Sequence, residues 1–192
     1  MLFRSVVPVR PNPFKDVAET SYYYDAVLWA FYSEPQITTG VTETTFAPNN
    51  ICTRAHVVAF LWRANGCPEP VTTENPFTDV HPSTYYYKAV LWAYENGITT
   101  GTTDTTFNPD GKCTRAHVVT FLWRAQGSPE PVTETNPFED VSEGAYFYKA
   151  VLWAAENGIT TGKTDTTFEP YSACTRANAV TFLYRALATE KP

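Results

Sequence analysis

One helix opening is written three times in this chain: CTRAHVVAFLWRA at 52–64, CTRAHVVTFLWRA at 113–125 and CTRANAVTFLYRA at 174–186. The arginines after the threonine, Arg54, Arg115 and Arg176, stand 61 residues apart in both intervals. Other signposts keep the same order. Phe-x-Asp-Val recurs at Phe14, Phe77 and Phe138, VLWA at Trp29, Trp92 and Trp153, and TTF at Phe46, Phe107 and Phe168. Self-similarity at a fixed period means one structural unit used repeatedly, and such units bury their apolar faces against one another.

Each copy reads as helix, loop, helix. In copy 2 the pattern predicts a first helix over about 83–96, with Ser83 as N-cap and Asn96-Gly97 as the stop. The loop ITTGTTDTTFNPDGK carries turn residues. The second helix is predicted from Thr114, its N-cap, to about Gln126, with Gly127 beyond, and the proline-bearing connectors GCPEPVTTENP and GSPEPVTETNP are expected to be extended. Copy 1 runs eight positions from Trp29 to Ile37 where the others run six, and carries Pro35 where they have a glycine, so its first helix is expected to end differently.

The second helix is apolar on most sides (Val118, Val119, Phe121, Leu122, Trp123), which demands burial. A single copy has too little surface to supply it. The expected fold is therefore all-α: three helix-loop-helix repeats packed as one pseudo-threefold spindle, the second helices forming a central three-helix bundle and the first helices and loops three outer lobes. The expected divisions are an N-terminal extension at 1–13 and repeats at 14–66, 77–127 and 138–188.

Charge removes some functions. The chain has 14 basic and 20 acidic residues, a net −6, with no Lys/Arg cluster to neutralise phosphates, so nucleic acid is not an expected partner. No apolar run is long enough to span a bilayer, and MLFRSVVPVRPNPF lacks a signal-peptide core.

The repeated Thr-Arg-Ala corner asks for an explanation. Thr114 as N-cap puts Cys113 at N′ and Val118 at N4, the positions of a hydrophobic staple, which accounts for Cys52, Cys113 and Cys174 without thiol chemistry. An arginine at N1, however, faces the positive end of the helix dipole, unfavourable by roughly 0.3–1 kcal/mol. Two readings follow. Free N–H groups beside a guanidinium make an anion site; or each arginine pairs with a carboxylate of a neighbouring copy, Asp16, Asp79 or Asp140.

The stretch NPFTDV…YYYKAVLWAYENGITTGTTDTTFNPDGKCTRAHVVTFLWRA resembles the S-layer homology module, in three copies over about 14–188. The resemblance implies a spindle that holds surface proteins non-covalently to Gram-positive-type cell walls, outside the cell. The implied ligand is an acidic secondary cell-wall polysaccharide, commonly carrying a pyruvate ketal on N-acetylmannosamine, met by the Thr-Arg-Ala arginine in the grooves between lobes. The candidate ligand-binding set is Arg54, Arg115, Arg176, Gly101, Gly162, Lys88, Lys149, Tyr87 and Tyr148; Gly40 is the equivalent loop glycine of copy 1.

The chain departs from the family where a glutamate should follow Thr-Arg-Ala: His56, His117 and Asn178 stand there. A glutamate at N3 completes a capping box, which His is expected to do only poorly and Asn in part. Copy 1 also has Asp25 where the others have Lys88 and Lys149, and Glu43 for Asp104 and Asp165, so copies 2 and 3 are the better candidates for intact grooves.

Other constellations read as structural. Cys52 and Cys67 bracket one helix, about 22 Å apart at 1.5 Å per residue, so free thiols are expected. Cys113 and His117 have chelating spacing, yet no further ligands gather, so no metal or cofactor is expected. No Ser-His-Asp order, phosphate loop or HExxH motif appears, so an enzyme is not expected. Asp16, Asp79 and Asp140 suit turn or capping roles, the three tryptophans core packing, and Arg63, Arg124 and Arg185 the helix C-terminal dipole. The leading expectation is a monomeric carbohydrate-binding anchor. The alternatives are a structural or protein-interaction module on the same fold and an enzyme accessory fragment.

Overall fold

Six helices make up the regular structure: α1 Tyr24–Tyr32, α2 Arg54–Ala64, α3 Tyr87–Glu95, α4 Arg115–Ala125, α5 Tyr148–Glu156 and α6 Arg176–Leu187. The computed structural model describes residues 10–133 and 135–188, so most of the extension expected at 1–13, and the signal-peptide reading there, lie outside it. Among the described residues extended pairing is limited to isolated bridges, as the all-α expectation requires.

The first helices are shorter than the sequence suggested. α3 begins at Tyr87, with Tyr86 in the N-cap position and no side-chain cap. Ser83 instead lies in a turn, where its N–H donates to His81 Nδ1 at 3.3 Å and the Thr84 N–H donates to the His81 carbonyl at 3.0 Å. Local side-chain and turn bonds took the backbone that a longer helix would have used. Copy 1 ends its helix differently, as its sequence indicated: α1 stops at Ser33 in extended conformation, before a cis Glu34–Pro35 bond, whereas α3 runs out through Asn96 to Gly97 at φ +67°.

The second helices start where predicted. Thr53, Thr114 and Thr175 cap them, each side chain accepting from the N3 amide. The expectation that His serves poorly in the capping box is corrected. His56 and His117 Nδ1 each accept the N-cap backbone N–H at 3.2 Å, closing the box as a glutamate would. An unprotonated imidazole nitrogen at the right reach is a sufficient acceptor. Asn178 does not take the Thr175 amide: its Oδ1 accepts from the Thr175 hydroxyl at 3.0 Å and its Nδ2 donates to the Tyr22 hydroxyl at 2.7 Å.

Packing joins the copies. α2, α4 and α6 each touch the other two. The more extensive pairings are α2 with α3, α4 with α5, and α6 with α1, so each first helix lies against the second helix of another copy. At the N′ positions the backbone closes a ring: Cys52 N–H donates to the Cys174 carbonyl (2.9 Å), Cys113 to Cys52 (2.9 Å) and Cys174 to Cys113 (2.8 Å). All three cysteines are buried, Cys67 is half-buried, and all four thiols are free.

Within each copy the loop is held to the first segment. Phe46, Phe107 and Phe168 are fully buried against Phe14, Phe77 and Phe138. Burying each such ring contributes roughly 1.5–3 kcal/mol. The aspartates fill the capping role expected of them: Asp79 accepts the Phe107 and Asn108 amides at 2.8 and 2.7 Å, and Asp16 and Asp140 do the same in their own copies.

Candidate functional site

The three Thr-Arg-Ala arginines are nearly buried, at 4–5% exposure, each reaching from its own copy into the loop of another. Arg54 Nε donates to the Phe107 carbonyl, Arg115 Nε to Phe168 and Arg176 Nε to Phe46, all at 2.8 Å. Each guanidinium also lies over that phenylalanine ring, 4.7–4.8 Å from its centroid. The phenylalanine peptide is thus held at both ends: an aspartate takes its N–H and an arginine of another copy takes its C=O.

This geometry removes one premise of the sequence reading. The helix N-termini do not offer free amides. Arg54 N–H donates to the Gly111 carbonyl and Ala55 N–H to Pro109; Arg115 and Ala116 bond Ser172 and Pro170, and Arg176 and Ala177 bond Asn50 and Pro48, at 2.8–3.0 Å. With the threonine caps at N3, the first-turn donors are satisfied by protein. Nor do the arginines pair with acids. Among the described residues the only ion pairs are Lys88–Glu69 and Lys149–Glu130, both 2.7 Å. Asp16, Asp79 and Asp140 serve backbone amides instead.

The guanidiniums therefore keep their charge without a carboxylate partner. Burial lowers each pKa, but a guanidinium stays protonated. Arg54 and Arg176 Nη2 reach Thr99 and Thr38 hydroxyls at a long 3.5 and 3.4 Å, and the buried Arg115 Nη2 has no hydrogen-bond partner among the described residues.

Each arginine lines a groove built by three copies. The Arg54 groove takes Thr99–Thr102 of the second loop, His117, Thr120, Phe121 and Arg124 of α4, and Tyr146 from the third copy. The Arg115 groove takes Thr160–Lys163, Asn178 and Arg185 with α6, and Tyr22 from the first copy. The Arg176 groove takes Thr38–Val41, His56 and Arg63 with α2, and Tyr85 from the second copy. Their volumes are about 380, 310 and 330 Å³, at the small end of ligand pockets.

The groove walls are aromatic on one side. His56 lies between Phe60 and Tyr85, and His117 between Phe121 and Tyr146, at 6.3–6.5 Å between centroids. Burial, with a neighbouring arginine, lowers both histidine pKa values, that of His117 to about 4. Burial also raises the phenols of Tyr22, Tyr85 and Tyr146, so they remain hydrogen-bond donors.

Placement of the other sequence candidates is mixed. Gly101 and Gly162 line grooves, as does Gly40. Lys88 and Lys149 hold Glu69 and Glu130 on the surface, and Tyr87 and Tyr148 pack against the core; none of these four lines the three grooves. Asp25 also lies outside those linings. The aromatic triplets at 22–24, 85–87 and 146–148 read in sequence as fanning round a helix, so that some members face a groove; the members that do are Tyr22, Tyr85 and Tyr146, two places before the helix starts, and not Tyr87 and Tyr148. The sequence reading missed one set. Arg63, Arg124 and Arg185 satisfy the dipole expectation and also donate from Nη1 to the Ile37, Ile98 and Ile159 carbonyls at 3.1–3.2 Å, which carries them into the groove walls. Their recurrence at matching positions was the available signal.

Comparison with known proteins finds one family three times in tandem, as the three-copy resemblance implied. The model of the S-layer homology domain matches residues 13–58, 76–119 and 137–180. The chain is similar to an endoglucanase of Bacillus sp. (strain KSM-635), 36% identical over 58% of this chain and 12% of that protein. It is similar also to an amylopullulanase of Thermoanaerobacterium thermosulfurigenes, 30% identical over 79% of this chain and 8% of that protein. A surface-layer 125 kDa protein of Lysinibacillus sphaericus is 31% identical over 63% of this chain and 10% of its own length. The chain thus spans only about a tenth of the length of these relatives. With three matches covering more than half its length, the chain belongs to the S-layer homology domain family.

Proposed function

We propose that this chain is a cell-surface anchoring module that binds an acidic, pyruvylated secondary cell-wall polysaccharide non-covalently in its inter-repeat grooves. The observation that carries the reading is the charge state of the three N1 arginines: nearly buried, fixed through Nε, and without a carboxylate partner among the described residues. A guanidinium held at short range only through Nε, its Nη2 unpartnered in Arg115 and at a long 3.4–3.5 Å from a threonine hydroxyl in Arg176 and Arg54, offers the rest of its fork to a carboxylate. The tyrosine beside each arginine suits a sugar face, and the second arginine of each groove adds charge.

The ring of cysteine hydrogen bonds and the cyclic helix pairing support a pseudo-threefold spindle around a central bundle of α2, α4 and α6, monomeric in solution. No helix of the described residues is long and apolar enough to cross a membrane. Relatives named as surface-layer proteins and as polysaccharide-degrading enzymes fit an anchor shared by different cargoes.

The rival, a purely structural or protein-interaction module, has one observation in its favour: the same arginines tie neighbouring copies together. A sedimentation assay on purified walls, with and without the polysaccharide, separates the two. Retention that requires the polysaccharide, and falls both in an Arg115→Ala, Arg176→Ala variant and in a Tyr22→Ala, Tyr85→Ala, Tyr146→Ala variant of unchanged helicity, is expected. Equal retention on stripped walls overturns the anchoring reading.

A further inference from the structure

The three grooves share a plan but not a charge. At the position after the loop glycine stand Val41, Thr102 and Lys163, one in each groove. The Arg176 and Arg54 grooves are thus lined by two cations each (with Arg63 and Arg124), and the Arg115 groove by three, Arg115, Arg185 and Lys163. Among the described residues no Asp or Glu lines any of them. Lys163 has no carboxylate within ion-pair distance among the described residues, unlike Lys88 and Lys149, which are engaged.

The rest of the Arg115 groove is set for donation. Arg115 Nη2 is buried and unpartnered. The Tyr22 hydroxyl accepts from Asn178 Nδ2 at 2.7 Å, so its own proton is available to a ligand. In the other two grooves a histidine stacks on the tyrosine instead. The two carboxylates that act on Arg115 from outside the lining are both engaged: Glu169 Oε2 accepts from Ser172 Oγ at 3.0 Å, and Asp140 accepts the Phe168 and Glu169 amides.

We propose that the acid group of the ligand docks in the Arg115 groove, and that Lys163 is the residue that assigns it there. This rests on the anchoring reading above. The carboxylate is taken by the Arg115 fork, and the Lys163 ammonium supplies a second charge that Thr102 and Val41 cannot.

The test is an NMR titration of the full chain, with the amides of Gly40, Gly101 and Gly162 reporting the three grooves. The probe is the methyl glycoside of N-acetylmannosamine bearing a 4,6-pyruvate ketal, and its methyl ester is the neutral control. Gly162 is expected to shift at the lowest probe concentration, and the ester to lose that preference. Lys163→Thr, which installs the residue of the Arg54 groove at an exposed site, is expected to weaken the Gly162 response about fivefold at low salt, the value of a partly exposed charge contact. The reciprocal Thr102→Lys strengthens the Gly101 response. If the probe binds but Gly40 or Gly101 leads, or Lys163→Thr changes nothing, the assignment is overturned while anchoring stands. If neither protein responds to the probe, both fail.

Discussion

Replacing Gly101 with alanine isolates what the groove loop is made of. Gly101 has φ +88°, and a Cβ there would lie 2.5 Å from the Thr103 carbonyl oxygen, 2.6 Å from Phe77 Cε1 and 2.6 Å from the Thr106 carbonyl oxygen. Two costs combine. Placing a side chain in the left-handed region costs about 1–2 kcal/mol. The steric part costs about 1–3 kcal/mol more, because the obstacles are backbone oxygens of the same tight turn and a buried ring, none free to swing aside. Gly127 separates the two, since it has nearly the same φ, +83°, with nothing within 4 Å of its would-be Cβ. Gly127→Ala is expected to lose only the backbone part. Urea denaturation followed by tryptophan fluorescence measures both variants, and the difference between them, about 1–3 kcal/mol in favour of Gly127→Ala, is the steric term. Gly162→Ala should repeat the Gly101 result, its Cβ meeting Thr164, Phe138 and Thr167 at 2.4–2.7 Å. If Gly101→Ala and Gly127→Ala are equally stable, the packing of the loop against Phe77 is not what fixes the glycine. The loop glycines would then be there only to let ligand approach.

Three further outcomes are expected. His117 must be neutral to accept the Thr114 amide, and its pKa falls from an unfolded value near 6.5 to about 4. The unfolded chain therefore binds the proton first, so this contribution is complete above pH 6.5 and lost as pH falls towards 4, by about 1–2 kcal/mol after allowing for solvent screening. A His56→Asn, His117→Asn variant should show a shallower acid slope in denaturation midpoints, and an unchanged slope refutes the assignment. Burial pushes the Cys52 thiol up to about 12, and those of Cys113 and Cys174 up as well, so a thiol-reactive dye at pH 8 should label only half-buried Cys67 in the folded protein. Rapid labelling of more than one cysteine contradicts the buried ring. Asp79→Asn should destabilise by about 1.5–3 kcal/mol, since one of two charge-assisted bonds to the Phe107 and Asn108 amides is lost. A calorimetric change under 0.5 kcal/mol would show that the clamp is dispensable.

The caps and the repeat were legible because they are local. Thr114 three residues before His117 writes its own hydrogen bond, and Asn96-Gly97 its own stop, whatever surrounds them. The first-helix start failed for the opposite reason: His81, Pro82 and Ser83 offered a turn that competed with the helix, and propensity could not rank the two. Among the candidate site residues, the arginines and loop glycines were found because they recur at a fixed spacing. Tyr87 recurs just as faithfully, as Tyr24 and Tyr148, and Lys88 recurs once, as Lys149, yet Tyr87, Tyr148, Lys88 and Lys149 lie away from the grooves, so recurrence alone does not distinguish a wall of a site from a brace of the fold.

From the chain alone came the period of 61, the helix-loop-helix unit, the demand that apolar second helices be buried together, and the odd position of an arginine at N1. Tertiary structure alone decided who neighbours whom. First helices lie against second helices of other copies, helix-start amides are taken by foreign loops, and each groove draws its arginine, its loop and its tyrosine from three different copies. The reason is that caps and turns are governed by bonds a few residues long, whereas the packing of three near-identical copies has no local signature. The same side chains could satisfy a contact within a copy or between copies, and only simultaneous burial of all three second helices selects between them.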